Sequence, residues 1–357
     1  MRVLQLIPSL QNGGAEKFVC ELSNYLVNNL DTPCDIAVMY DCDTASRGFL
    51  DSLKNVKCIC LHKTLGFSIK YLIKLFLFIK RNKYDVVHAH LNTITYLILS
   101  AFLLPNVKFI ATIHSDAHFE ASGKVDKLIR KILFQSRRVT PITISERSNQ
   151  SFINYYGLDA EIIYNGISSY ENYDNESIKK LNDEIIFIHP ASCQPVKNQK
   201  MLLSVFQKLT KKYKNVYLYW FGSVTHNQEL FCELKCFFSD NIKYCGCVND
   251  IRSYLKQADA MCLSSTIEGM PMVIIEAFSV GCIPIVTPAG GCFDMVQDGI
   301  NGFISETFTE EDYYNKVETF ILLRHSEKAK IQAKCMDAFN NYSINRSAEL
   351  YLKVYKS

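Results

Sequence analysis

The 357-residue chain has little of what marks several large classes of protein. Its longest mostly apolar run, residues 91–104, is shorter than the ~18–20 residues that a membrane-spanning helix needs. The apolar run at the N-terminus is too short for a signal peptide. Charge is nearly balanced, with 39 Lys and Arg against 36 Asp and Glu, which disfavours a dedicated nucleic-acid binder. A hydrophobic content of 48% excludes a disordered chain, and we expect a globular one.

Cysteine is the exception, with 14 residues scattered without a repeated spacing. Most lie inside apolar runs, so we expect small buried thiols. The two close pairs, Cys58 with Cys60 and Cys245 with Cys247, lack the two-residue gap of a zinc knuckle or redox motif. This pattern favours a reducing, cytosolic compartment over a disulfide-rich secreted one.

Short β-branched and aromatic runs alternate with segments of helical period along the whole chain, which is typical of parallel α/β layers. We predict an α/β fold of two doubly wound, Rossmann-like domains that face each other across a cleft. The first is residues 1–168, a polar linker follows at 169–183, and the second is 184–339. Predicted strands begin near Val3, Ile36, Lys57, Asp85, Lys108, Pro141 and Glu161, and then near Ile185, Val216, Ile242, Ala260, Ile283 and Gly302.

The loop after the first predicted strand ends in Gly13 and Gly14 at the start of a helix. Two glycines let a backbone approach a bulky anion, and a helix N-terminus offers free N–H groups. A tight strand-to-helix turn would explain the same glycines. The G-x-G-x-x-G spacing of a dehydrogenase is missing.

The most informative segment is residues 264–281, in which Pro271 and Gly281 predict the start and end of a helix at about 272–280. Glu268 lies before that helix and Glu276 lies inside it. Both carboxylates have apolar neighbours, so a solvated charged face is a poor explanation. Such carboxylates can accept the paired hydroxyls of a sugar or ribose, while the helix N-terminus binds phosphate.

Glu268 and Glu276, separated by seven residues, resemble the E-x7-E motif of the retaining family 4 glycosyltransferases, which have the GT-B fold. The resemblance covers nearly the whole chain. It implies that a helix at about 340–357 packs back on the first domain. The segments that carry it, in order, are Gly13–Glu16, Asp85–His90, Ala111–His114, Tyr164–Ile167, Pro195–Asn198, Ala289–Gly291 with Asp294, and Asp298–Phe303.

The resemblance implies a role for each matching residue. Glu276 would bind the ribose of a nucleotide-sugar, and Glu268 would contact the donor sugar beside the amides of Gly269, Met270 and Met272. Lys197 would neutralise the diphosphate, and Gly14, next to Gly13, would let the first domain close onto it. His114 would hydrogen-bond a sugar hydroxyl. Departure of the nucleoside diphosphate would be assisted by this cation and by helix dipoles, without a metal or other cofactor.

The sequence departs from the family at Ser192, five residues before Lys197, where the family usually has Arg. A hydroxyl does not replace a bidentate guanidinium. Three explanations stay open: Lys197 and the helix N-termini stabilise the leaving group alone, another basic residue takes the place of Arg, or catalysis is slow or lost.

Two metal-site readings compete with these roles. His88 and His90 alternate on a strand and, with His114, Asp116 and His118, suggest zinc; the resembled family carries histidines here, and we expect no metal. Asp41-Cys42-Asp43 is similar to the D-x-D of the other large glycosyltransferase fold. We interpret it as a solvated turn. The same aspartates occupy the ribose position of a dehydrogenase, without that enzyme's glycine fingerprint.

Basic residues concentrate in the predicted first domain. Residues 52–84 hold eight Lys and Arg and no acid, and residues 124–138 hold six against Asp126. A solvated helix face is the usual explanation. A basic amphipathic helix at 68–83 also suits an anionic lipid surface. We expect a cytoplasmic protein that docks on the inner membrane face.

The resulting expectation is a retaining, metal-independent hexosyltransferase. It would use a UDP- or GDP-linked sugar and a glycan or lipid-linked acceptor in the synthesis of bacterial capsule, O-antigen or exopolysaccharide. Two alternatives remain. One is a GT-B-fold isomerase that acts on a nucleotide-sugar alone, and the other is a non-catalytic relative that only binds it.

Overall fold

A computed structural model describes residues 1–10, 13–40, 47–64, 66–121, 123–170, 183–225 and 227–357, without the side chains of residues 47 and 48. The Asp41–Asp43 turn lies outside these residues, and so does the expected linker except for residues 169, 170 and 183. The chain divides into two compact units. Unit 1 consists of Met1–Ser168 and Tyr342–Ser357, and unit 2 is Ser169–Asn341.

Unit 1 is built on a seven-stranded parallel sheet in the order β3-β2-β1-β4-β5-β6-β7. Helices connect its strands, as parallel neighbours require. Its strands are β1 (Val3–Ile7), β2 (Cys34–Val38), β3 (Lys57–Cys60), β4 (Val86–His90), β5 (Lys108–Ile113), β6 (Val139–Thr143) and β7 (Glu161–Ile162). Its helices up to Ser168 are α1 (Gly14–Asn29), α2 (Arg47–Asp51), α3 (Ile69–Asn82), α4 (Ile98–Leu103), α5 (Ala117–Glu120), α6 (Lys124–Gln135) and α7 (Glu146–Tyr156).

Unit 2 repeats this plan with six parallel strands in the order β10-β9-β8-β11-β12-β13. Its strands are β8 (Ile185–Pro190), β9 (Val216–Phe221), β10 (Ile242–Gly246), β11 (Ala260–Leu263), β12 (Ile283–Val286) and β13 (Phe303–Ile304). Its helices are α8 (Gln199–Lys212), α9 (Gln228–Leu234), α10 (Arg252–Leu255), α11 (Met272–Ser279), α12 (Cys292–Met295), α13 (Glu310–Leu322) and α14 (His325–Phe339).

The last helix, α15 (Ile344–Lys356), belongs to unit 1 and packs against α1. Two backbone hydrogen bonds anchor the segment that precedes it, because Ile167 donates to Tyr342 and Ile344 donates to Ile167. The buried face of α15 carries Tyr351 and Tyr355, and both hydroxyls reach the polar interior of the unit. Unit 1 therefore contains two separate stretches of the chain.

The predicted α/β fold with two doubly wound sheets is confirmed, and every strand of the described residues coincides with a predicted one. For two strands the predicted first residue lies after the observed one. β2 begins at Cys34 and β6 at Val139, two residues ahead in each case. Pro141 lies inside β6, opposite Ala111 of β5. It is tolerated there because β7 pairs only with Ile142 and Thr143, so β6 is an edge strand at Pro141.

The prediction of buried thiols was only partly right. Of the cysteines whose surroundings are described, seven are buried, two are half-buried and four are exposed. The exposed ones lie on α9, the turn after it and the edge strand β10 with the loop that follows: Cys232, Cys236, Cys245 and Cys247. An edge strand is solvated on one side, so its side chains do not follow the burial of the central strands. No described helix is both long and apolar enough to cross a membrane.

Candidate functional site

Two loops of unit 2 meet at the carboxyl ends of β8 and β11, where the strand order reverses. The Thr266 amide donates to the Val196 carbonyl at 2.8 Å. The Ser264 hydroxyl donates to the Lys197 carbonyl at 2.8 Å. Doubly wound sheets bind their ligands at such reversals. The two segments that the sequence singled out in this unit are therefore joined at the expected place.

Lys197 and Glu268 form the polar centre of this junction. The Lys197 Nζ lies 2.7 Å from Oε1 of Glu268, and the Ser265 hydroxyl donates to the same oxygen at 2.6 Å. The Glu268 side chain is 9% exposed and that of Lys197 is 22% exposed. Lys197 ends a short 3₁₀ turn, and Asn198 then adopts a left-handed φ of 49° before α8 begins. The structure thus brings two of the predicted site residues into direct contact.

Glu276 is the fifth residue of α11 and is only 5% exposed. The helix begins at Met272, directly after Pro271, and ends close to Gly281, whose φ is 73°. Gly269 and Met270 lie in the loop before the helix. The predicted helix and the predicted positions of both glutamates relative to it are correct, and the Glu276 carboxylate is buried in this short apolar helix.

Two glycines that the sequence had marked only as part of the resemblance hold the Glu268 loop in place. A Cβ on Gly290 would lie 1.7 Å from the Glu268 carbonyl oxygen, and one on Gly291 would lie 2.2 Å from the Gly269 oxygen. The Gly291 amide donates to that Gly269 oxygen at 2.8 Å. Only glycine permits this approach of two backbones.

Gly222 makes a similar approach to the loop that contains Ser192. A Cβ on Gly222 would lie 2.1 Å from the Ala191 carbonyl oxygen, and its φ is 149°. The Ser192 carbonyl accepts a hydrogen bond from Gln199 of α8 at 2.8 Å. The backbone at Ser192 is therefore fixed by its neighbours even though the usual arginine is absent there.

In unit 1, the expected site residue His114 follows β5 directly. Its side chain is 8% exposed, and its Nε2 lies 2.8 Å from Nδ1 of His90, the last residue of β4. Burial lowers the pKa of His114 to about 3 and the pKa values of His88 and His90 well below the ordinary histidine value. All three imidazoles are neutral at physiological pH.

A buried ion pair supports the loop that carries His114. Glu120 accepts a hydrogen bond from the His114 backbone amide, and its Oε2 lies 3.6 Å from Nη1 of Arg130. Arg130 is fully buried and also binds Asp126, at 3.1 Å, and the carbonyl of Leu91. Burial raises the pKa of Glu120 to about 7, against the opposing effect of the Arg130 charge. The sequence showed only a basic cluster at these residues.

Gly13 and Gly14 form the first turn of α1, with Gly13 in extended backbone ahead of the helix. A Cβ on Gly13 would lie 2.2 Å from Oε2 of Glu16, whose side chain folds back over the glycine. Burial raises the pKa of this carboxyl. The glycine loop expected to approach an anion is thus covered on one side by an acidic group of its own helix.

The histidines considered as zinc ligands have other partners. His88 is bonded to Thr112 of β5 and Tyr355 of α15, and His90 is bonded to Gln5 of β1. Asp116 begins α5 by accepting the His118 amide at 2.8 Å. The His118 ring packs against Phe119 and Tyr155. Across the part of the chain that the structure describes, no three His, Cys, Asp or Glu side chains are grouped so as to hold a metal ion.

Two family models match the chain one after the other. The model described as "Glycosyltransferase Family 4" matches residues 12–169, and "Glycosyl transferases group 1" matches residues 171–335. The chain belongs to these glycosyltransferases. Membership accounts for the two sheets, which match the GT-B fold of solved glycosyltransferases. One such structure, Anabaena Alr3699/HepE in complex with UDP and glucose, has a TM-score of 0.80 at 19% identity, over 100% of this chain and 99% of that one.

Two curated relatives of this glycosyltransferase are bacterial, and their names give a capsular polysaccharide and a lipid-linked sugar. The capsular polysaccharide biosynthesis glycosyltransferase CapH of Staphylococcus aureus is 26% identical, over 80% of this chain and 81% of its own length. The Escherichia coli UDP-Gal:alpha-D-GlcNAc-diphosphoundecaprenol alpha-1,3-galactosyltransferase is 25% identical, over 74% of this chain and 72% of its own length. The predicted family is therefore confirmed.

Proposed function

We propose that this glycosyltransferase moves a hexose from a nucleotide-diphosphate sugar to a glycan or lipid-linked acceptor, with retention and without a metal, in bacterial surface polysaccharide synthesis. The observation that supports it most is the contact between Lys197 and Glu268 at the strand-order reversal of unit 2, with the buried Glu276 on the helix that follows. A cation, a carboxylate and a helix N-terminus there suit a diphosphate, sugar hydroxyls and a ribose. The curated relatives make capsule and lipid-linked glycans by name.

Each residue has a role in this proposal. Lys197 and the N-terminus of α11 would stabilise the charge that develops on the departing diphosphate. Glu268, with the amides of Gly269, Met270 and Met272, would hold the donor sugar, and Glu276 would hold the ribose. In unit 1, His114 would hydrogen-bond a sugar hydroxyl, and Gly13 and Gly14 would approach the diphosphate. The bound nucleotide would be UDP or GDP.

The test begins with a thermal-shift panel of UDP- and GDP-sugars, because a ligand at about 100 times its Kd adds ~2.7 kcal/mol of stability. Turnover of any donor that binds is then followed with and without EDTA, and the anomeric configuration of the product is read by NMR. Transfer that survives EDTA with retained configuration supports the proposal. Product formed without an acceptor would instead identify an isomerase, and binding without turnover a non-catalytic relative.

We further propose that unit 1 docks on an anionic membrane, in the cytoplasm, to reach a lipid-linked acceptor. The apolar residues of α3 on one side are exposed at four-residue spacing, with Ile69 at 67%, Ile73 at 49% and Leu77 at 37%. α3 packs beside α4, and α4 packs beside α6. These neighbours expose further apolar side chains, namely Phe102, Leu103, Val125, Leu128 and Ile132. Exposed apolar side chains of this number mark an interaction surface.

Basic residues accompany this surface, as binding to anionic lipid requires. Lys70, Lys74, Lys80 and Arg81 lie on α3, which spans residues 69–82 within the predicted 68–83. Sedimentation with vesicles containing phosphatidylserine should fall when these four charges are reversed or when Ile73 is changed to Ser. Met336→Ser, on the 57% exposed Met336 of unit 2, is the matched control. Sedimentation that ignores the α3 variants would contradict the docking proposal.

A further inference from the structure

A continuous chain of hydrogen bonds runs through the buried interior of unit 1 and ends at His114. It joins side chains of β1, β4, β5 and α15, all of them within the fully or almost fully buried set. The links in order are Tyr351 to Thr112 at 2.9 Å, Thr112 to His88 at 2.7 Å, His88 to Tyr355 at 2.8 Å, Tyr355 to Gln5 at 3.2 Å, Gln5 to His90 at 2.8 Å, and His90 to His114 at 2.8 Å.

Gln5 determines which atoms donate and which accept in these hydrogen bonds. Its Nε2 donates to the Tyr355 hydroxyl, and its Oε1 faces Nε2 of His90. An amide oxygen only accepts, so His90 must carry its proton on Nε2. Because His90 is neutral, its Nδ1 has a lone pair and accepts from Nε2–H of His114.

The same reasoning determines which ring nitrogen of His114 carries the proton. Its Nε2 holds the proton, and burial keeps the ring neutral, so its Nδ1 is an unprotonated acceptor. That Nδ1 is buried and has no hydrogen-bond partner in the described part of the chain. An unsatisfied buried acceptor is costly and rare, which indicates a group reserved for a ligand donor.

We propose that Gln5 is a positioning residue that, through His90, fixes His114 as a hydrogen-bond acceptor. The group that His114 binds must then donate a hydrogen bond, as a sugar hydroxyl does and an ether or fluorine does not. This assignment of the ligand rests on the proposed function. The tautomer itself does not, because it follows from the contacts inside unit 1 alone.

The tautomer can be measured directly on the full chain labelled with ¹⁵N-histidine. Long-range ¹H–¹⁵N correlation spectra distinguish a protonated from an unprotonated ring nitrogen, and loss of one pattern in His114→Gln assigns the signal. We expect an unprotonated Nδ1 and a protonated Nε2 for His114. The opposite tautomer in the unmodified protein would overturn the proposal.

Gln5→Met, similar in volume but without the amide, should convert His114 to a mixture of tautomers. Tyr351→Phe is the matched control, because it removes a buried hydroxyl from the far end of the chain of hydrogen bonds, and should leave the His114 pattern unchanged. Where transfer is measurable, Gln5→Met should reduce kcat about tenfold more than Tyr351→Phe. Equal His114 spectra in Gln5→Met and the unmodified protein would refute the role of Gln5, whatever the outcome of the transferase assay.

Discussion

Lys197 and Glu268 are bound to each other, with Nζ 2.7 Å from Oε1. The cation assigned to the diphosphate is therefore already paired with the carboxylate assigned to the sugar. Ser265 donates to the same carboxylate oxygen, so Glu268 would keep one partner if a phosphate drew Lys197 away. In the proposed function, donor binding would therefore be an exchange of partners by Lys197.

Replacement of Lys197 by Met should weaken UDP binding by roughly 30-fold or more. Loss of one partner of a close charge pair costs about 2 kcal/mol or above, which corresponds to that factor. Lys208→Met is the matched control, because Lys208 also pairs with a glutamate at 2.7 Å but is 63% exposed. Calorimetric titration with UDP measures both, and equal affinities would remove Lys197 from the site.

Ser192→Ala should leave UDP affinity and turnover within about twofold of the unmodified protein, because a neutral hydroxyl contributes little to a diphosphate compared with a cation. Its backbone carbonyl, which binds Gln199, is unchanged by the substitution. A large loss in the same titration would mean that Ser192 itself holds the leaving group.

Glu276→Gln should abolish discrimination between UDP and its 2′-deoxy analogue. A carboxylate that accepts ribose hydroxyls favours UDP by about tenfold, since hydrogen bonds to charged groups contribute about 1.5–3 kcal/mol. The exposed Glu306 provides the control substitution Glu306→Gln. Discrimination that persists in Glu276→Gln would exclude the ribose role while leaving the Lys197 prediction intact.

Gly290→Ala should abolish donor binding by displacing the Glu268 loop, since its Cβ would clash with the Glu268 carbonyl. Gly299→Ala is the control. Gly299 shares the positive φ, 72° against 45°, but a Cβ there meets nothing within 4 Å. Strain from a positive φ destabilises both variants by ~1–2 kcal/mol. A difference in UDP affinity between them would therefore come from the clash with the Glu268 carbonyl alone. Equal affinity for the two variants would contradict the role of this backbone contact.

Arg130→Met should destabilise unit 1 by about 3–5 kcal/mol at pH 8, because it removes the cation that stabilises the buried Glu120 carboxylate. With Arg130 present, the pKa of Glu120 is raised to about 7, so the unmodified protein holds the charged carboxylate at pH 8 and the protonated acid at pH 5. The penalty of the variant should therefore shrink at pH 5, where Glu120 is protonated. Hydrogen exchange of unit 1 peptides at the two pH values measures the loss of stability caused by the substitution. A loss of stability that is the same at both pH values would contradict this account.

Acid should destabilise unit 2 through His189, whose pKa burial lowers to about 4. The unfolded chain binds a proton below about pH 6.5 while the folded one does not, so stability falls as pH falls. Between pH 7 and pH 5, the free energy of unfolding of unit 2 should fall by about 2 kcal/mol through His189. His189→Gln should lack that loss, whereas the exposed His325→Ala should retain it. Fluorescence of Trp220, the only tryptophan, reports urea unfolding of this unit.

Local pattern predicted the fold well because each buried parallel strand is a short apolar run flanked by turns. It also placed Glu268 before α11 and Glu276 inside it, since Pro271 and Gly281 mark that helix by backbone chemistry. The start of β2 at Cys34 was missed because Asp35 is of a residue type depleted in strands. Asp35 is held there by Arg2, at 2.6 Å, and Tyr84, at 2.8 Å.

The parts of the site that sequence could not reveal depend on contacts between distant segments. The sequence around Gly290 does not indicate that its backbone contacts the Glu268 backbone. The sequence around Gln5 does not indicate its hydrogen bond with His90. Arg130 read as one member of a basic cluster, although it is fully buried against Glu120 and Asp126. Burial and pairing are properties of the assembled sheet, so a linear pattern does not carry them.

The membership of α15 in unit 1 has a consequence for the order of folding. Gln5 is made 350 positions before its partner Tyr355, and all of unit 2 lies between them. During synthesis, the first sheet must therefore wait for the Tyr355 hydroxyl that completes the hydrogen bonding of Gln5 and His88, while the residues of unit 2 have already been made. Of the two units, the one whose sheet is made first is the one whose interior is completed last.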